Sequence, residues 1–404
     1  MRIDDSNVIY LDHNATTPVA TEVVEAMIPY LRSEFGNPSS DHVFGRRARQ
    51  ALDGARSSVA SLIGAEPDEV IFTSGGTEAN NLAIRGSASA APSTRDRIVT
   101  STVEHPATSA PLALLGASGW RLTRVPVAGS GVLDLDAGLD ALGDDVALVT
   151  VMLAQNETGA VMPVAALATA ARAHGAIVHT DAAQAVGKIP VSVNDLGVDL
   201  LSIAGHKCYG PKGIGALYVR RGTPLSPLVV GASQEGGLRP GTENVAGIVG
   251  LGVAARLAMD YLEREPARVG RLRDKLFLAL SARIDGMVRY TPDDDCLANT
   301  LLVSFPGVIG AEILDQIPNL AASTGSACHA GEHLPNATLL AMGVAPQVAL
   351  GAVRLSLGRA TTSEDIDASV ELLVGSYEAL VAATPSRSVS HKSEGAPRSR
   401  SSSS

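Results

Sequence analysis

The chain has 404 residues, of which 45% are hydrophobic and 18% are charged, and its formal net charge is -10. This composition is typical of a soluble globular enzyme with more than one domain, and the acidic balance argues against general binding to nucleic acid. No uninterrupted apolar run reaches the length of a membrane helix, and the N-terminus has no apolar signal core. We therefore expect a cytoplasmic protein without a membrane segment.

The three cysteines, Cys208, Cys296 and Cys328, are too few and too far apart for a disulfide framework or a CxxC metal-binding pair. We expect reduced thiols and no resident metal. The tail from Ala383 to Ser404 is rich in serine, proline and arginine and has almost no apolar residues. Because it cannot bury enough apolar surface to offset the entropy of ordering, we expect it to be disordered.

In chain order, strand-like apolar runs alternate with helical patterns. Helices are predicted over residues 20–34, 44–63 and 164–174. Strands are predicted over residues 8–12, 70–73, 98–101, 146–152, 176–179, 200–203 and 216–219. This alternation predicts an α/β fold with a mainly parallel sheet covered by helices.

The second half begins with a long helix predicted over residues 245–262 and continuing towards residues 276–280. A second, smaller domain is expected from there. Its predicted elements are strands over residues 300–305 and 353–357 and a closing helix over residues 363–380.

Polar residues follow the predicted strands of the sheet, and ligands bind at this edge of parallel sheets. They are Glu104, His105, Gln155, Asn156, Glu157, Asp181, Gln184, His206 and Lys207. A single such residue is more often a cap than a ligand-binding group. Together they predict a site at the carboxyl ends of the strands.

A strand, a glycine pair and a helix start follow one another at residues 70–79. The free backbone N–H groups and the helix dipole at such a junction attract an anion, and Thr77 can add a hydroxyl donor. An ordinary helix cap is the alternative, and this stretch alone does not decide between the two. Because the Walker and Rossmann glycine patterns are missing, one phosphate is a better candidate ligand than a nucleotide.

Lys207 stands where a predicted strand leaves the sheet among glycines and apolar residues. Partial desolvation there lowers the pKa of a lysine, and the neutral amine can bond to an aldehyde cofactor. For Lys207 taken alone, a surface lysine in a hairpin is the more common interpretation. Together with the other polar residues at this edge of the sheet, Lys207 fits the chemistry of pyridoxal phosphate. The predicted contacts are Gly76 and Thr77 with the phosphate, Asp181 with the ring nitrogen, Gln184 with the ring hydroxyl and His105 stacked on the ring.

Cys328 lies in a loop of glycine, serine, alanine and histidine, residues 323–331. A free cysteine is usually a small buried hydrophobic residue. The small and polar neighbours favour instead an exposed thiol that can reach a substrate. Arg354 follows in a predicted strand, and its guanidinium could bind a substrate carboxylate through two hydrogen bonds.

These residues together resemble the group I cysteine desulfurases and the selenocysteine lyases, which belong to the class V aminotransferase family of pyridoxal-phosphate enzymes. The resemblance runs from Tyr10 to about Leu380. The motifs that carry it are Leu11-Asp-His-Asn-Ala-Thr-Thr-Pro18, Phe72-Thr-Ser-Gly-Gly-Thr-Glu78, Glu104-His105, Asn156-Glu-Thr-Gly159, Asp181-Ala-Ala-Gln184, Gly205-His-Lys207, Arg239-Pro-Gly-Thr-Glu-Asn244, Gly325-Ser-Ala-Cys328 and Arg354-Leu-Ser-Leu-Gly358.

The resemblance implies the fold of the type I pyridoxal-phosphate-dependent transferases and a homodimer. A large cofactor-binding domain with a mostly parallel seven-stranded sheet is expected at residues 15–257. A smaller α+β domain that carries the nucleophile loop is expected at residues 1–14 and 258–382.

The resemblance also assigns roles to individual residues. Lys207, Cys328 and His105 are the implied catalytic residues, and Asn14, Asn156 and Arg354 the implied substrate-binding residues. The implied cofactor-binding residues are Gly76, Thr77, His105, Asn156, Asp181, Gln184, His206, Lys207 and, from the other subunit, Thr242.

The implied reaction converts L-cysteine to L-alanine and a persulfide on Cys328. Its sulfur would pass to an acceptor protein, such as an iron–sulfur scaffold, whose cluster Cys328 could transiently contact, or a thiolation enzyme. Two features depart from the common desulfurase pattern. Ala204 stands where many members have a phosphate-binding Ser or Thr, and the loop after Cys328 reads His-Ala-Gly-Glu-His. A selenocysteine lyase therefore remains an alternative, and another class V aminotransferase is a further one.

Overall fold

A seven-stranded sheet forms the centre of the protein, whose computed structural model describes residues 8–325 and 333–383. The strands of the chain are β1 (Ile9–Tyr10), β2 (Val70–Thr73), β3 (Arg97–Ser101), β4 (Arg121–Val125), β5 (Val146–Thr150), β6 (Ile177–Asp181), β7 (Leu200–Ala204), β8 (Gly215–Val219), β9 (Val288–Arg289), β10 (Thr300–Ser304), β11 (Leu320–Ala321) and β12 (Ala352–Ser356).

The strand order in the central sheet is β2-β8-β7-β6-β5-β3-β4. Only β8 runs antiparallel to the others, because the connection over residues 205–214 returns it beside β7. The mostly parallel seven-stranded sheet is thus confirmed, as is the predicted strand, turn and strand at residues 200–219. Parallel strands are covered on both faces, and β5 and β7 are buried along their whole length.

Helices cover this sheet and build the second half of the chain. They are α1 (Thr21–Arg32), α2 (Val43–Ile63), α3 (Gly76–Ala90), α4 (Pro106–Ala117), α5 (Leu135–Asp140), α6 (Val164–Ala173), α7 (Val193–Leu196), α8 (Val245–Leu262), α9 (Glu265–Ser281), α10 (Gly310–Asp315), α11 (Ala337–Ala341), α12 (Pro346–Ala349) and α13 (Ser363–Ala383).

Three expectations about this half of the chain need correction or comment. The long helix does not continue from residue 262, since α8 and α9 are separate helices. Pro266 lies in the first turn of α9, where its missing N–H is tolerated, but it would interrupt one continuous helix. Ala383, predicted as the start of the tail, is the last residue of α13. The rest of the predicted tail, residues 384–404, lies outside the described residues.

Helix α8 is, among the described residues, the one helix that is long and apolar enough to cross a membrane. Arg256 and Asp260 interrupt its apolar sequence, so the expectation that no uninterrupted apolar run reaches this length is not contradicted. The helix packs against α1 and α2, and alanine and glycine dominate its buried face. Small residues on that face let the three helices approach closely, which is the packing of a core helix.

A second hydrophobic cluster lies apart from the central sheet. It is built on the antiparallel sheet β12-β10-β9 and on α9 and α13, and it also takes in Leu11 from the N-terminal segment. Leu302 and Ala352 instead pack into the core of the large sheet. The division into domains at residues 14 and 257 stays a prediction.

The second cluster should be sensitive to the loss of a single side chain. Leu301 is 0% exposed and packs within it. Leu301→Ala should lower the free energy of unfolding by about 2–5 kcal/mol, because the transfer energy is lost and a cavity remains. Urea unfolding measures the change. The matched control is Leu278→Ala, whose side chain is 65% exposed and should change stability by less than about 0.5 kcal/mol. Equal effects of the two substitutions would contradict the packing described.

Candidate active site

A cleft opens at the carboxyl ends of β5, β6 and β7, beside the first turn of α3. It holds about 650 Å³, counting the solvent at its mouth, which is a usual size for a small-molecule site. The polar residues that line it are Gly76, Thr77, Asn80, His105, Asn156, Asp181, Gln184, His206 and Lys207. Every predicted site residue is among them except Asn14, Arg354, Thr242 and Cys328.

Lys207 lies in the turn that follows β7, and its amine points at the N-terminal segment. The Nζ atom donates hydrogen bonds to the backbone oxygens of Asn14, at 2.6 Å, and Ala15, at 2.8 Å. Its pKa is lowered to about 8, mainly because burial penalises the charged amine, and the positive charge of Arg354 acts in the same direction. Nearby carboxylates, including that of Asp181, oppose the shift. A substantial fraction of the amine is therefore neutral near pH 8.

Asp181 ends β6 with its carboxylate held in place from two sides. Oδ2 accepts a hydrogen bond of 2.6 Å from the side chain of Asn80, and Oδ1 accepts one of 3.0 Å from the backbone N–H of Ala183. Asn80 is fully buried in α3 and also contacts Thr108. The helix that begins at the cleft thus orients the carboxylate as well.

The first turn of α3 forms the opposite end of the cleft. The first backbone N–H groups of a helix have no partner within it and are available to an anion. Gly76 lies so close to β7 that a Cβ at this position would be 3.2 Å from the Cβ of Ala204. The Nδ1 atom of His206 lies 3.2 Å from the hydroxyl of Thr16. Burial and the charge of Lys207 lower the pKa of His206 to about 4, so its ring is neutral at pH 7.

His105 caps α4 and lies on the exposed wall of the cleft. The backbone N–H of Ala107 donates to its Nδ1 atom at 3.0 Å. In the neutral ring the proton is therefore on Nε2, which is left for other groups. Desolvation by the surrounding protein lowers the pKa of His105, against the opposing effect of Asp181.

The neighbouring Glu104 has a buried carboxyl group. Burial raises its pKa to about 8, and the charge of Asp181 adds to this effect. Its Oε1 atom accepts hydrogen bonds from the hydroxyl of Ser101, at 2.6 Å, and from the backbone N–H of Met152, at 3.0 Å. At pH 7 the group is largely protonated, so the interior beside Asp181 carries little additional negative charge.

Asn14 lies beneath Lys207, and its side-chain amide contacts protein groups on every side. Its Nδ2 atom donates to Thr300 Oγ1 at 2.8 Å and to the backbone oxygen of Asn156 at 3.1 Å. Its backbone oxygen accepts from Gln184 Nε2 at 2.9 Å. The direct substrate contact expected of the Asn14 side chain stays a prediction, because these contacts already use its donors.

Arg354 is a buried residue of β12 with two carboxylate partners. Its Nη1 atom lies 2.7 Å from Glu157 and its Nη2 atom 2.7 Å from Asp12. The Nη1 atom also donates to the backbone oxygen of Asn156, which borders the cleft. The Nε atom is buried and has no hydrogen-bond partner among the described residues. Arg354 is therefore close to the cleft but does not line it.

The remaining predicted site residues are not brought to this cleft by the described part of the chain. Thr242 is exposed in the segment before α8, so a contact made from another subunit stays a prediction. Cys328 lies outside the described residues. Burial raises the pKa of Cys208 to about 11, which makes its thiol a poor nucleophile. Cys296 is half-buried and contacts Arg273.

Sequence reasoning missed several residues that support the site. Asn80 has no predicted role, although its position one helical turn after Gly76 places it on the same side of α3. Asp12 belongs to a motif but has no predicted role, and Glu157 is predicted only as a polar residue that follows a strand. Their pairing with Arg354 joins segments 197 and 342 residues apart in the chain, which no local pattern reports.

The Arg354–Glu157 pair gives a prediction about stability. The side chain of Glu157 is only 7% exposed, so Arg354→Met would leave a buried carboxylate without its main cation. We expect the free energy of unfolding to fall by about 3–5 kcal/mol, as measured by urea unfolding. The double variant Arg354→Met/Glu157→Gln should recover much of this loss, because it removes the stranded charge. A double variant no more stable than Arg354→Met would contradict the analysis.

Comparison with known proteins agrees with this geometry. A family model described as Aminotransferase class-V matches residues 9–368. The cysteine desulfurase IscS of Dictyoglomus turgidum is 45% identical over 379 residues, which cover 93% of this chain and 96% of that protein. The cysteine desulfurase NifS of Azotobacter vinelandii is 44% identical over 362 residues, covering 89% and 90%. A solved NifS-like protein superposes with a TM-score of 0.86 at 36% identity, covering 93% and 99% of the two chains. With a match of this extent, the chain belongs to the class-V aminotransferase family.

Proposed function

We propose that this protein is a cysteine desulfurase that uses pyridoxal 5′-phosphate. The observation that carries the proposal is the convergence of the Lys207 amine, the Asp181 carboxylate and the first turn of α3 in one cleft. Relatives named cysteine desulfurase, aligned over nine-tenths of the chain, favour this activity over others of the family.

The donor set of the cleft fits the proposed cofactor. Lys207 offers an amine whose lowered pKa favours reaction with an aldehyde. Asp181 offers a fixed carboxylate for a protonated ring nitrogen. Free N–H groups at Gly76 and Thr77 suit a phosphate, and His206 lies on the same side of the cleft. The cleft therefore has a group of the right chemistry for the aldehyde, the ring nitrogen and the phosphate.

When bound, pyridoxal phosphate supplies an electron sink for the negative charge that develops at the Cα atom of an amino acid. Lys207 accepts the proton from that Cα atom, which its pKa near 8 allows at neutral to mildly basic pH. His105 carries protons through Nε2 at the wall of the cleft. Arg354 binds the substrate carboxylate, with its free Nε atom as an additional donor.

The sulfur step needs a thiol, and we assign it to Cys328. The thiolate of Cys328 attacks the sulfur of cysteine, the carbon–sulfur bond breaks, and its electron pair stays with the carbon that becomes the methyl group of alanine. The enzyme keeps the sulfur as a persulfide, so no external oxidant is required. In support, the segment that leads towards Cys328 pairs its Ser323 with the backbone of Arg354, at 2.6 and 3.2 Å. The segment therefore starts beside the proposed carboxylate-binding residue.

We also propose that the protein acts as a cytoplasmic homodimer and passes its sulfur to an acceptor protein. A patch of exposed apolar side chains on α1, α2 and the loop between them supports the dimer. It includes Leu31, Phe35 and Phe44, and the rings of Phe35 and Phe44 stack at 5.4 Å. Exposed apolar patches of this kind are typical of interaction surfaces. A second subunit would be required for Thr242 to contact the cofactor.

The pKa of Lys207 predicts how cofactor attachment depends on pH. Because the neutral amine reacts and the pKa is lowered to about 8, attachment of pyridoxal phosphate to the cofactor-free protein should accelerate up to about pH 9 and then level off. Borohydride trapping followed by mass spectrometry of the Lys207 peptide measures the rate, and Lys207→Ala serves as the blank. A rate that keeps rising beyond pH 10 would indicate an ordinary lysine.

The role of Cys328 predicts a separation of cofactor binding from sulfur release. Cys328→Ser should keep the visible absorption of the bound cofactor but lose more than about 99% of alanine formation from cysteine, because serine is a far weaker nucleophile. Cys296→Ser is the matched control and should retain full activity. Unchanged turnover of Cys328→Ser would refute the assignment.

The same assay distinguishes the selenocysteine lyase alternative. Ala204 and the His-Ala-Gly-Glu-His sequence after Cys328 are the features that favour it. Selenium leaves carbon more readily than sulfur, so a lyase should turn over selenocysteine much faster than cysteine. Comparable rates on the two substrates would exclude strict selenium specificity.

A further inference from the structure

Lys188 lies behind the cleft and has no role in the predicted site. It follows Gln184 by four residues in the turns after β6, where spacing of this kind brings two side chains together. Its Nζ atom donates hydrogen bonds to Gln184 Oε1, at 2.6 Å, and to Asn14 Oδ1, at 2.8 Å. One amine thus contacts both the residue assigned to the cofactor ring and the residue beneath Lys207.

The backbone acceptors around Lys188 fix the orientation of both amides. A carbonyl oxygen only accepts, so Gln184 turns its nitrogen to the backbone oxygen of Asn14 and Asn14 turns its nitrogen to the backbone oxygen of Asn156. Both amide oxygens are left facing the Lys188 amine. The nitrogen of Gln184 is then turned to the backbone oxygen of Asn14, at 2.9 Å, and keeps one N–H for the cleft that Gln184 lines. A flipped Gln184 would point donors at a donor and lose two hydrogen bonds.

The surroundings of Lys188 are unusual for a lysine that serves only as a structural residue. It forms no ion pair with a carboxylate in the described ranges 8–325 and 333–383, and its partners are neutral amides. Burial, with the positive charges of Lys207 and Arg354, holds its pKa well below the usual value. A methionine would fill the same space without this desolvation cost, so packing alone does not account for an amine here.

We propose that Lys188 is a positioning residue, which acts through Gln184 to hold an N–H donor towards the ring of the cofactor and acts through Asn14 to support the segment that Lys207 contacts. The inference rests on the proposed function only in that pyridoxal phosphate is the ligand of the cleft. It adds a half-buried lysine, outside the cleft lining, as a determinant of cofactor binding and of the electronic state of the ring.

The test substitutes Lys188→Met, which keeps the length and removes the donor. We expect the Kd for pyridoxal phosphate, titrated into cofactor-free protein, to rise about tenfold, because Gln184 is free to turn its oxygen to the cleft. The visible absorption band of the bound cofactor should also shift, since the ring loses a hydrogen-bond donor. Purely structural damage would lower thermal stability without altering the band of the protein that remains folded.

Three further variants make the result specific. Lys275→Met is the matched control, because Lys275 forms a salt bridge of 2.6 Å with Asp367 in the second cluster, and it should leave the Kd and the absorption band unchanged. Lys188→Arg keeps a donor and borders an adjoining cavity of about 500 Å³, counting the solvent at its opening, so it should restore much of the affinity. In a Gln184→Ala background, Lys188→Met should add markedly less than tenfold, because the two residues act together.

The outcomes separate this inference from the proposed function. Unchanged Kd and absorption in folded Lys188→Met, or full additivity with Gln184→Ala, would overturn the role of Lys188. If the unmodified protein binds pyridoxal phosphate but forms no alanine from cysteine, the proposed reaction fails while the affinity measurements still decide the role of Lys188. A protein that binds no pyridoxal phosphate would overturn both.

Discussion

The site depends on keeping one lysine amine partly uncharged inside the protein. Desolvation of Lys207 and the positive charge of Arg354 favour the neutral amine, and the carboxylates of Asp12, Asp181 and Glu157 favour the charged one. The balance leaves the pKa of Lys207 near 8. This value is lower than the pKa of an ordinary lysine, but it still allows the amine to bind a proton at neutral pH. A group that must both lose and accept protons during a reaction is most effective when its pKa is close to the working pH.

The charges around Arg354 follow from the same balance. One buried guanidinium is shared by Asp12 and Glu157, and both carboxylates also interact with the amine of Lys207. A substrate carboxylate would have to displace one of these partners or use the free Nε atom. The proposed binding of a substrate carboxylate to Arg354 would therefore exchange one charged partner for another, and its net contribution to affinity would be smaller than for an unpaired arginine. Such a site would distinguish substrates more by the position of their carboxylate than by its negative charge alone.

Local patterns in the sequence predicted the sheet and the residues at its edge, because strand period and glycine-rich turns are short-range signals. Lys207, Asp181 and Gly76 lie at the expected edge for this reason: Asp181 ends β6, and Lys207 and Gly76 each come three residues after the last residue of a buried strand. The partners that orient them were not predictable in the same way. Asn80 reaches Asp181 across 101 residues, and Lys188 reaches Asn14 across 174. Asn80 lies inside α3, and Lys188 lies in the turns after β6. They reach the site only because α3 and the N-terminal segment pack against the sheet. The break between α8 and α9 was missed because apolar spacing continues on both sides of Pro266.

Ala204 illustrates how packing decides which groups can hold a phosphate. Ala204 lies directly beneath the first turn of α3, and a Cβ on Gly76 would already be 3.2 Å from its methyl group. A Cβ on Gly215 of the neighbouring strand would lie only 2.7 Å from the Cα atom of Gly75. The helix start is thus seated tightly on β7 and β8, and this close contact requires small residues in both layers.

A hydroxyl at residue 204 would add a donor, but the extra atoms would have to fit in the same narrow space. The backbone N–H groups of α3 and the hydroxyl of Thr77 need no such space, because they belong to the helix that approaches the ligand. For the proposed phosphate, the close packing of α3 on the sheet therefore favours contacts from the backbone, so that the lack of a hydroxyl at residue 204 would be a smaller loss than its chemistry alone would suggest.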